Sequence, residues 1–140
     1  MGKRGQISVE YLIVVGFVTF LIVGILGVAF FYASGIRDEI KINQLNNFAN
    51  KIISSSESVF YAGSPSKVTI NAYLPAGVKV IEITSSELIF DIEISSGLNR
   101  ISFSSNVPLD DTQGSSLSVS EGLKRIEIAA QLDRVSFREV

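Results

Sequence analysis

The segment YLIVVGFVTFLIVGILGVAFFYA, residues 11–33, decides the fold of this chain. Apart from the phenols of Tyr11 and Tyr32 it has no ionisable side chain, and the next charge in the sequence is Arg37. As a helix the segment would span roughly 35 Å at about 1.5 Å per residue, which is enough to cross a bilayer. Because only a helix satisfies every backbone polar group inside lipid, the segment is predicted to be helical.

Three identities fit this segment. A secretory signal peptide, with Lys3 and Arg4 as its basic region, is disfavoured because the apolar part of such a peptide is only about 7–15 residues long. An uncleaved single-span anchor would place the N-terminus in the cytoplasm and the chain after about Arg37 outside, by the positive-inside rule. The third identity keeps that topology but is cut between Gly5 and Gln6, so that the apolar helix stays on the mature protein.

The carboxylate of Glu10 stands at the head of the apolar segment and has two interpretations. A charge held in lipid or protein without a partner is costly. Cleavage before Gln6 would free an α-amino group one helical turn away, able to pair with Glu10 in the same subunit or in a neighbour within a helix bundle. Alternatively, Glu10 lies at headgroup level, where the helix dipole favours an anion.

The string from Lys3 to Tyr11 resembles the class III signal peptide of archaeal type IV-like pilins, in which a basic leader ending in glycine precedes a Gln-x-Ser-x-Glu-Tyr pattern. The matching positions are Lys3, Arg4, Gly5, Gln6, Ser8, Glu10 and Tyr11. The resemblance implies that a prepilin peptidase removes residues 1–5 by cutting between Gly5 and Gln6. It favours the salt bridge between Glu10 and the N-terminal amine of Gln6 as an assembly contact.

Three glycines, Gly16, Gly24 and Gly27, lie inside the apolar segment. Glycine lets two helix backbones approach closely, which favours packing of one membrane helix on another. Glycine is also common in membrane helices generally, so a packing role and an incidental one both fit these positions.

Beyond the membrane or filament-core segment, residues 6–35, the helical pattern continues through residues 36–63. Apolar residues recur at steps of about three and four and are predicted to form one stripe: Ile36, Ile40, Leu45, Phe48, Ile52 and Ile53. The helix is predicted to run from about Ser8 to about Tyr61 and to stop at the Gly-Ser-Pro sequence of residues 63–65. Its stripe is expected to complete the core of the domain that follows.

From Lys67 onward the apolar residues alternate with polar ones. Six such segments are separated by turn signals, at residues 68–74, 78–84, 87–94, 99–105, 123–130 and 134–140. Short strands at this spacing predict a small antiparallel β-sandwich-like head over residues 67–140. The predicted fold class is therefore α+β, a long N-terminal apolar helix followed by this head, and the arrangement is similar to that of type IV pilins.

The composition narrows the possible functions. The chain has no cysteine and no histidine, so disulfides, thiol nucleophiles, imidazole bases and the usual zinc ligands are missing, and neither enzymatic activity nor a cofactor or metal is expected. Scattered Lys and Arg and a net charge of -2 predict no nucleic-acid partner. Adjacent Asp110 and Asp111, and the acids of residues 87–93, are interpreted as solvated turn and strand positions, and no Ser–Lys constellation is visible.

The resemblance implies a structural subunit of an archaeal type IV-like pilus. The precursor would cross the cell membrane once, and the mature chain would polymerise with copies of itself into a cell-surface filament that serves adhesion, motility or DNA uptake. The partners implied are the prepilin peptidase, a pilus assembly ATPase and a membrane platform protein. The alternatives are a minor or accessory pilin, and a membrane-anchored extracellular binding module with the β head as its recognition domain.

Overall fold

The computed structural model describes residues 3–110 and 117–140, without the side chains of residues 3–7 and of Ser34. One helix, α1 (Lys3–Ala62), is followed by six strands: β1 (Lys67–Leu74), β2 (Val78–Ile83), β3 (Glu87–Ile94), β4 (Gly97–Ser104), β5 (Gly122–Ala130) and β6 (Val135–Glu139). The predicted α+β fold is confirmed, with a long N-terminal apolar helix ahead of two small antiparallel sheets.

Helix α1 ends where the glycine and proline signals predicted. Gly63 has a positive φ of 80°, a conformation that ends a helix and that costs glycine little. Its N–H donates to the carbonyl of Phe60 at 3.0 Å, which closes the last turn. The internal contacts nevertheless divide the chain into two units, one ending at Arg37 and the other comprising Asp38–Val140, here called the head unit.

The six strands of the head unit form two three-stranded antiparallel sheets, in the orders β1-β5-β6 and β2-β3-β4. In the first sheet Tyr73 lies opposite Leu123, and in the second Asp91 lies opposite Arg100. The approach to β2 requires Gly77, because its φ is +96° and a Cβ there would lie 2.8 Å from the carbonyl oxygen of Glu93. Both sheets are built from neighbours in sequence except for the pairing of β1 with β5.

One hydrophobic core joins both sheets to the C-terminal half of α1. Phe48 of the helix meets Phe90 of β3 edge to face, with ring centroids 6.0 Å apart, and Phe90 meets Phe103 of β4 in the same way at 5.9 Å. The largest fully buried side chains come from all three parts: Leu45, Phe48, Ile52, Leu74, Leu88, Phe90, Ile92, Val107, Ile126, Ile128 and Val135. The helix is therefore a structural part of the head unit.

The predicted apolar stripe of α1 is wrong at its N-terminal end. Leu45, Phe48 and Ile52 are buried, but Ile36 and Ile40 are 56% and 50% exposed. At about 100° per residue, the step from Ile40 to Leu45 turns the helix by roughly 500°, which places Ile40 about 140° away from Leu45. Ile40 thus lies on the face of α1 that is turned away from the core, and the covering stripe begins at Leu45.

Polar contacts attach the helix to the loops of the head unit. The Ser95 N–H donates to the Asp38 carboxylate at 3.0 Å, and the Asn106 amide donates to Glu57 at 2.8 Å. Inside the core the Ser56 hydroxyl donates to the carbonyl of Ile52 at 2.7 Å. Among the described residues, no buried side-chain nitrogen or oxygen lacks a hydrogen-bond partner, so the head unit meets the requirements of a folded domain.

Candidate functional site

The N-terminal part of α1 presents apolar side chains on all sides. Every large apolar residue from Val9 to Tyr32 is between 44% and 81% exposed. By length and composition this helix is able to cross a membrane, and none of its most apolar stretch is buried within the chain. Burial removes an unfavourable free energy of about 25 cal/mol per Å² of apolar surface in contact with water, so lipid or other protein must cover this helix.

The few polar groups of this segment suit an apolar environment. The Thr19 hydroxyl donates to the carbonyl of Val15 at 2.8 Å, so it has a partner within the helix itself. Phe31 and Tyr32 meet edge to face at 6.3 Å near the C-terminal end of the segment, shortly before the charge of Arg37. Aromatic rings followed by a charge are typical of the level at which a helix leaves the bilayer.

The glycines leave open space along this surface. None of the described atoms outside the local helix backbone lies within 4 Å of the position that a Cβ would take at Gly16, Gly24 or Gly27. Beside Gly24 there is a shallow groove of about 320 Å³, which is lined by Phe20, Leu21, Gly24, Ile25 and Val28. Contacts within this chain therefore do not require these glycines, and the space fits the close approach of a second helix.

The predicted processing motif, residues 3–11, lies at the start of α1. The backbone of Lys3, Arg4, Gly5 and Gln6 is helical, while their side chains lie outside the described residues. Ser8, Glu10 and Tyr11 are exposed. Cleavage between Gly5 and Gln6 and the ion pair of Glu10 with the new terminal amine stay predictions, since the amine does not exist in the uncut chain.

A second surface lies on the head unit, in a cavity of about 390 Å³ between α1 and the first sheet. We call it the helix–sheet groove; its lining residues are Gln44, Asn47, Phe48, Lys51, Asn71, Ala72, Tyr73 and Leu123. The Lys51 ammonium donates to the carbonyl of Asn71 at 2.7 Å, which covers part of strand β1 at the border of its sheet. The Tyr73 hydroxyl donates to Glu121 at 2.8 Å, and this hydrogen bond raises the pKa of Tyr73.

A buried lysine cluster joins β5 to β6. The Lys124 ammonium donates to the hydroxyls of Ser118 and Ser120 and to the Glu139 carboxylate, the last at 3.1 Å. Burial raises the pKa of Glu139, but hydrogen bonds from the Ser118 N–H and from Lys124 outweigh it, so that the pKa lies below its usual value. These three bonds use all three N–H groups of an ammonium, so the cluster acts as an anchor for residues 118–120.

The cluster places a serine hydroxyl against a lysine, an arrangement that the sequence analysis missed. Ser118 and Lys124 are close in sequence, but Glu139 arrives through the pairing of β5 with β6. The repeated serines of residues 115–120 beside Lys124 were the available signal. Because the lysine is bonded to a carboxylate, the arrangement has the features of an ion pair rather than those of a nucleophile with its base.

The acids of β3 are also paired. The Asp91 carboxylate receives two hydrogen bonds from Arg100, at 2.7 and 2.9 Å, and Glu93 pairs with Lys79 at 2.9 Å. The hydrogen bond from each cation lowers the pKa of its acid. Asp91 is buried rather than solvated, which corrects the interpretation of this strand, because the Arg100 guanidinium covers it.

The sequence pattern predicted solvated turn positions for the adjacent acids Asp110 and Asp111, but Asp110 is buried, which corrects the interpretation at this residue. Asp110 lies 3.7 Å from the Arg134 guanidinium, and Asp111 lies outside the described residues. Within residues 3–110 and 117–140, no three acidic side chains converge to form a metal site.

Comparison with known protein families, with characterised proteins and with solved structures finds no match to this chain.

Proposed function

We propose that this chain is the precursor of a structural subunit of an archaeal type IV-like pilus. It is inserted in the cell membrane with its N-terminus in the cytoplasm, is cut between Gly5 and Gln6 by a prepilin peptidase, and polymerises through α1 into a cell-surface filament. An assembly ATPase and a membrane platform protein supply the work of extrusion. The head unit remains outside the helix bundle.

The observation that carries this proposal is the exposure of residues 9–32 of α1 on all sides, in a chain whose head unit has its own core. A simple anchor needs an apolar surface toward lipid, and a filament needs the same surface toward neighbouring helices after the subunit leaves the bilayer. The open space at Gly24 supports the second use, because lipid alone does not require a helix to be narrow at one position.

Glu10 supports the same proposal. In a membrane tether, a carboxylate at the head of the apolar helix gains only the interaction with the helix dipole at headgroup level. In a bundle of processed subunits, the terminal amine of Gln6 on a neighbour neutralises Glu10, and a neighbour in the wrong register leaves it unpaired. The ion pair then sets the register in which each new subunit joins.

A second function is favoured by the helix–sheet groove, which combines amide side chains with the aromatic ring of Tyr73. Pockets that bind small ligands commonly mix apolar walls with a few polar groups. In this alternative the head unit is the recognition domain of a membrane-anchored binding module or of a minor pilin, and α1 serves mainly to hold it at the surface.

The proposal is tested on material from the native membrane and cell surface. Intact-mass measurement of the membrane-bound chain is expected to show a polypeptide that starts at Gln6, and electron microscopy of sheared surface fibres is expected to show filaments with this chain as the main component. A chain that still begins at Met1 contradicts the proposal. A processed chain that is only a trace component of the fibres favours the minor-pilin alternative.

A further inference from the structure

The hairpin between β5 and β6 ends in an exposed leucine. Leu132 is 96% exposed, more than any other large apolar side chain that the structure describes. The Gln131 N–H donates to the carbonyl of Arg134 at 2.8 Å, which closes the turn and holds the leucine outward. Next to it, the Asp133 carboxylate is exposed and lies 3.4 Å from the Arg134 side chain. We call residues 131–134 the hairpin tip.

The helix–sheet groove has complementary features. Phe48 and Ala72 are buried apolar residues that line it, and Leu123 adds an apolar side chain that is itself 71% exposed. Lys51 contributes a positive charge to the same lining. An apolar side chain followed by a carboxylate, as in Leu132 and Asp133, matches an apolar lining that carries an ammonium group.

The groove and the hairpin tip lie at opposite ends of the same strand. Leu123 lines the groove at the beginning of β5, and the hairpin tip follows Ala130 at its end. At about 3.4 Å per residue, β5 separates them by roughly 30 Å. The tip is therefore too far away to enter the groove of its own chain, so a tip that docks in a groove must belong to another molecule.

We propose that the hairpin tip of one subunit docks in the helix–sheet groove of a second copy of this chain. Because the two surfaces differ, one-way docking leaves a free groove on one copy and a free tip on the other, so that the contact propagates along a filament. Reciprocal docking, in which each of two copies places its tip in the other's groove, closes a dimer, and the filament of the proposed function requires the one-way form. The inference rests on the proposed function, to which it adds a contact between heads beyond the helix bundle.

Paired cysteines test this contact, because the natural chain contains none. The full-length chain carries Leu132→Cys together with either Leu123→Cys or Asn47→Cys, one on each side of the groove. Cells and sheared fibres are oxidised and their proteins separated without reductant. A disulfide requires Cα atoms within about 7 Å, so docking predicts a ladder of dimers, trimers and higher multimers for at least one of the two pairs.

Two controls make the result specific. Leu132→Cys with Ser102→Cys, an exposed position on β4 of the other sheet, is expected to stay monomeric. Cells that produce the two single variants Leu132→Cys and Leu123→Cys together are expected to give dimers without a ladder, because each chain then has one thiol. Dimers from Leu132→Cys alone indicate a tip-to-tip contact and overturn the proposal.

The outcomes separate this inference from the proposed function. Normal fibres in which both groove pairs stay monomeric or stop at dimers, or in which the Ser102 control forms an equal ladder, overturn the propagating contact and leave the filament proposal standing. If the unmodified chain forms no fibres, the proposed function fails. Oxidation of whole cells then decides the docking by itself, since a ladder supports the contact and monomers refute it.

Discussion

Residues 8–37 and the head unit place their apolar side chains in opposite ways. In the head unit, apolar residues from one helix face and two sheets form a single core, and the buried polar side chains that the structure describes there all have partners. In residues 8–37 the apolar side chains point outward around the whole helix. The comparison teaches that the head unit covers its own apolar side chains, whereas the first part of α1 leaves its apolar surface uncovered by the described residues of its own chain.

Helix α1 belongs to both regions, since its first part is exposed and its C-terminal half contributes to the core. From Leu45 to Val59 it buries one face in the core, and Ile40, just before this part, faces away from it. The change occurs where charged residues, Arg37, Asp38 and Glu39, follow the apolar segment. The exposed apolar segment and the helix face that contributes to the core thus belong to one element, α1.

The largest effect is expected from Glu10→Gln, which tests whether the outward-facing helix depends on other copies. The variant leaves the terminal amine of Gln6 unpaired in the filament core. Removing one partner of a buried ion pair costs about 3–5 kcal/mol, and tenfold corresponds to about 1.4 kcal/mol, so fibre yield should fall by about a hundredfold or more. Sheared fibres are quantified on gels, and intact mass verifies that the chain is still processed.

Glu39→Gln is the matched control, because it neutralises an exposed acid of the same helix outside the apolar segment. Its fibre yield is expected to equal that of the unmodified chain. Normal fibres from Glu10→Gln would remove the assembly role given to this carboxylate and leave the headgroup interpretation in its place.

A pair of alanine variants separates the two faces of α1 within the head unit. Phe48→Ala removes a buried ring that contacts Phe90 and should cost about 3–5 kcal/mol of unfolding free energy. For a domain of this size that corresponds to a fall of more than about 10 °C in melting temperature. Ile40→Ala should change the free energy by less than about 0.5 kcal/mol, because its side chain lies outside the core.

Calorimetry of the detergent-solubilised full-length chain provides both measurements. If the two variants destabilise the head unit equally, Ile40 belongs to the covering stripe as the sequence pattern indicated, and the assignment of faces is wrong.

The smallest expected effect is a pH dependence of the melting temperature of the head unit. Residues 11–36 of the apolar segment have no carboxylate that could contribute to it. The hydrogen bond from Arg100 lowers the pKa of Asp91 in the folded state. The contribution of this pair is therefore present above the ordinary aspartate pKa of about 4 and is lost as the pH falls through the lower folded value. The melting temperature of the head unit should decrease on acidification through this range.

Asp91→Asn should make that decrease shallower, because the variant has no carboxylate to protonate at this position. Asp133→Asn, at an exposed acid of the hairpin tip, is the matched control and should keep the slope of the unmodified chain. An equal slope in all three proteins would show that the Asp91–Arg100 pair adds no pH-dependent stability.

Much of the fold was predictable because the patterns that specify it are local. The six alternating segments match the six strands to within a few residues, and the end of α1 lies at the predicted glycine. The stripe of α1 failed at Ile40 because the step from Ile40 to Leu45 is five residues, which turns the helix by about 500° and places the two side chains on different faces.

Some of the candidate sites were likewise visible in the sequence, and others were not. The glycines and Glu10 are visible in the sequence, because an apolar segment makes any exception conspicuous. The lysine cluster and the helix–sheet groove were not visible, because Glu139 reaches Lys124 through β-strand pairing and Tyr73 meets Leu123 only through the register of β1 with β5. Contacts between residues that are far apart in the chain produce no periodic pattern in the sequence.

The amino-acid sequence by itself determined that this protein has a long apolar helix, a carboxylate at its head and a small β domain after it. These features follow from composition and from periods of about 3.6 and 2 residues, which depend on backbone geometry alone. Only the tertiary structure decided which face of the helix is buried, that β1 pairs with β5, and that a groove and an exposed leucine stand at opposite ends of one strand. Those features depend on which residues far apart in the chain pack together, and close packing in three dimensions selects them.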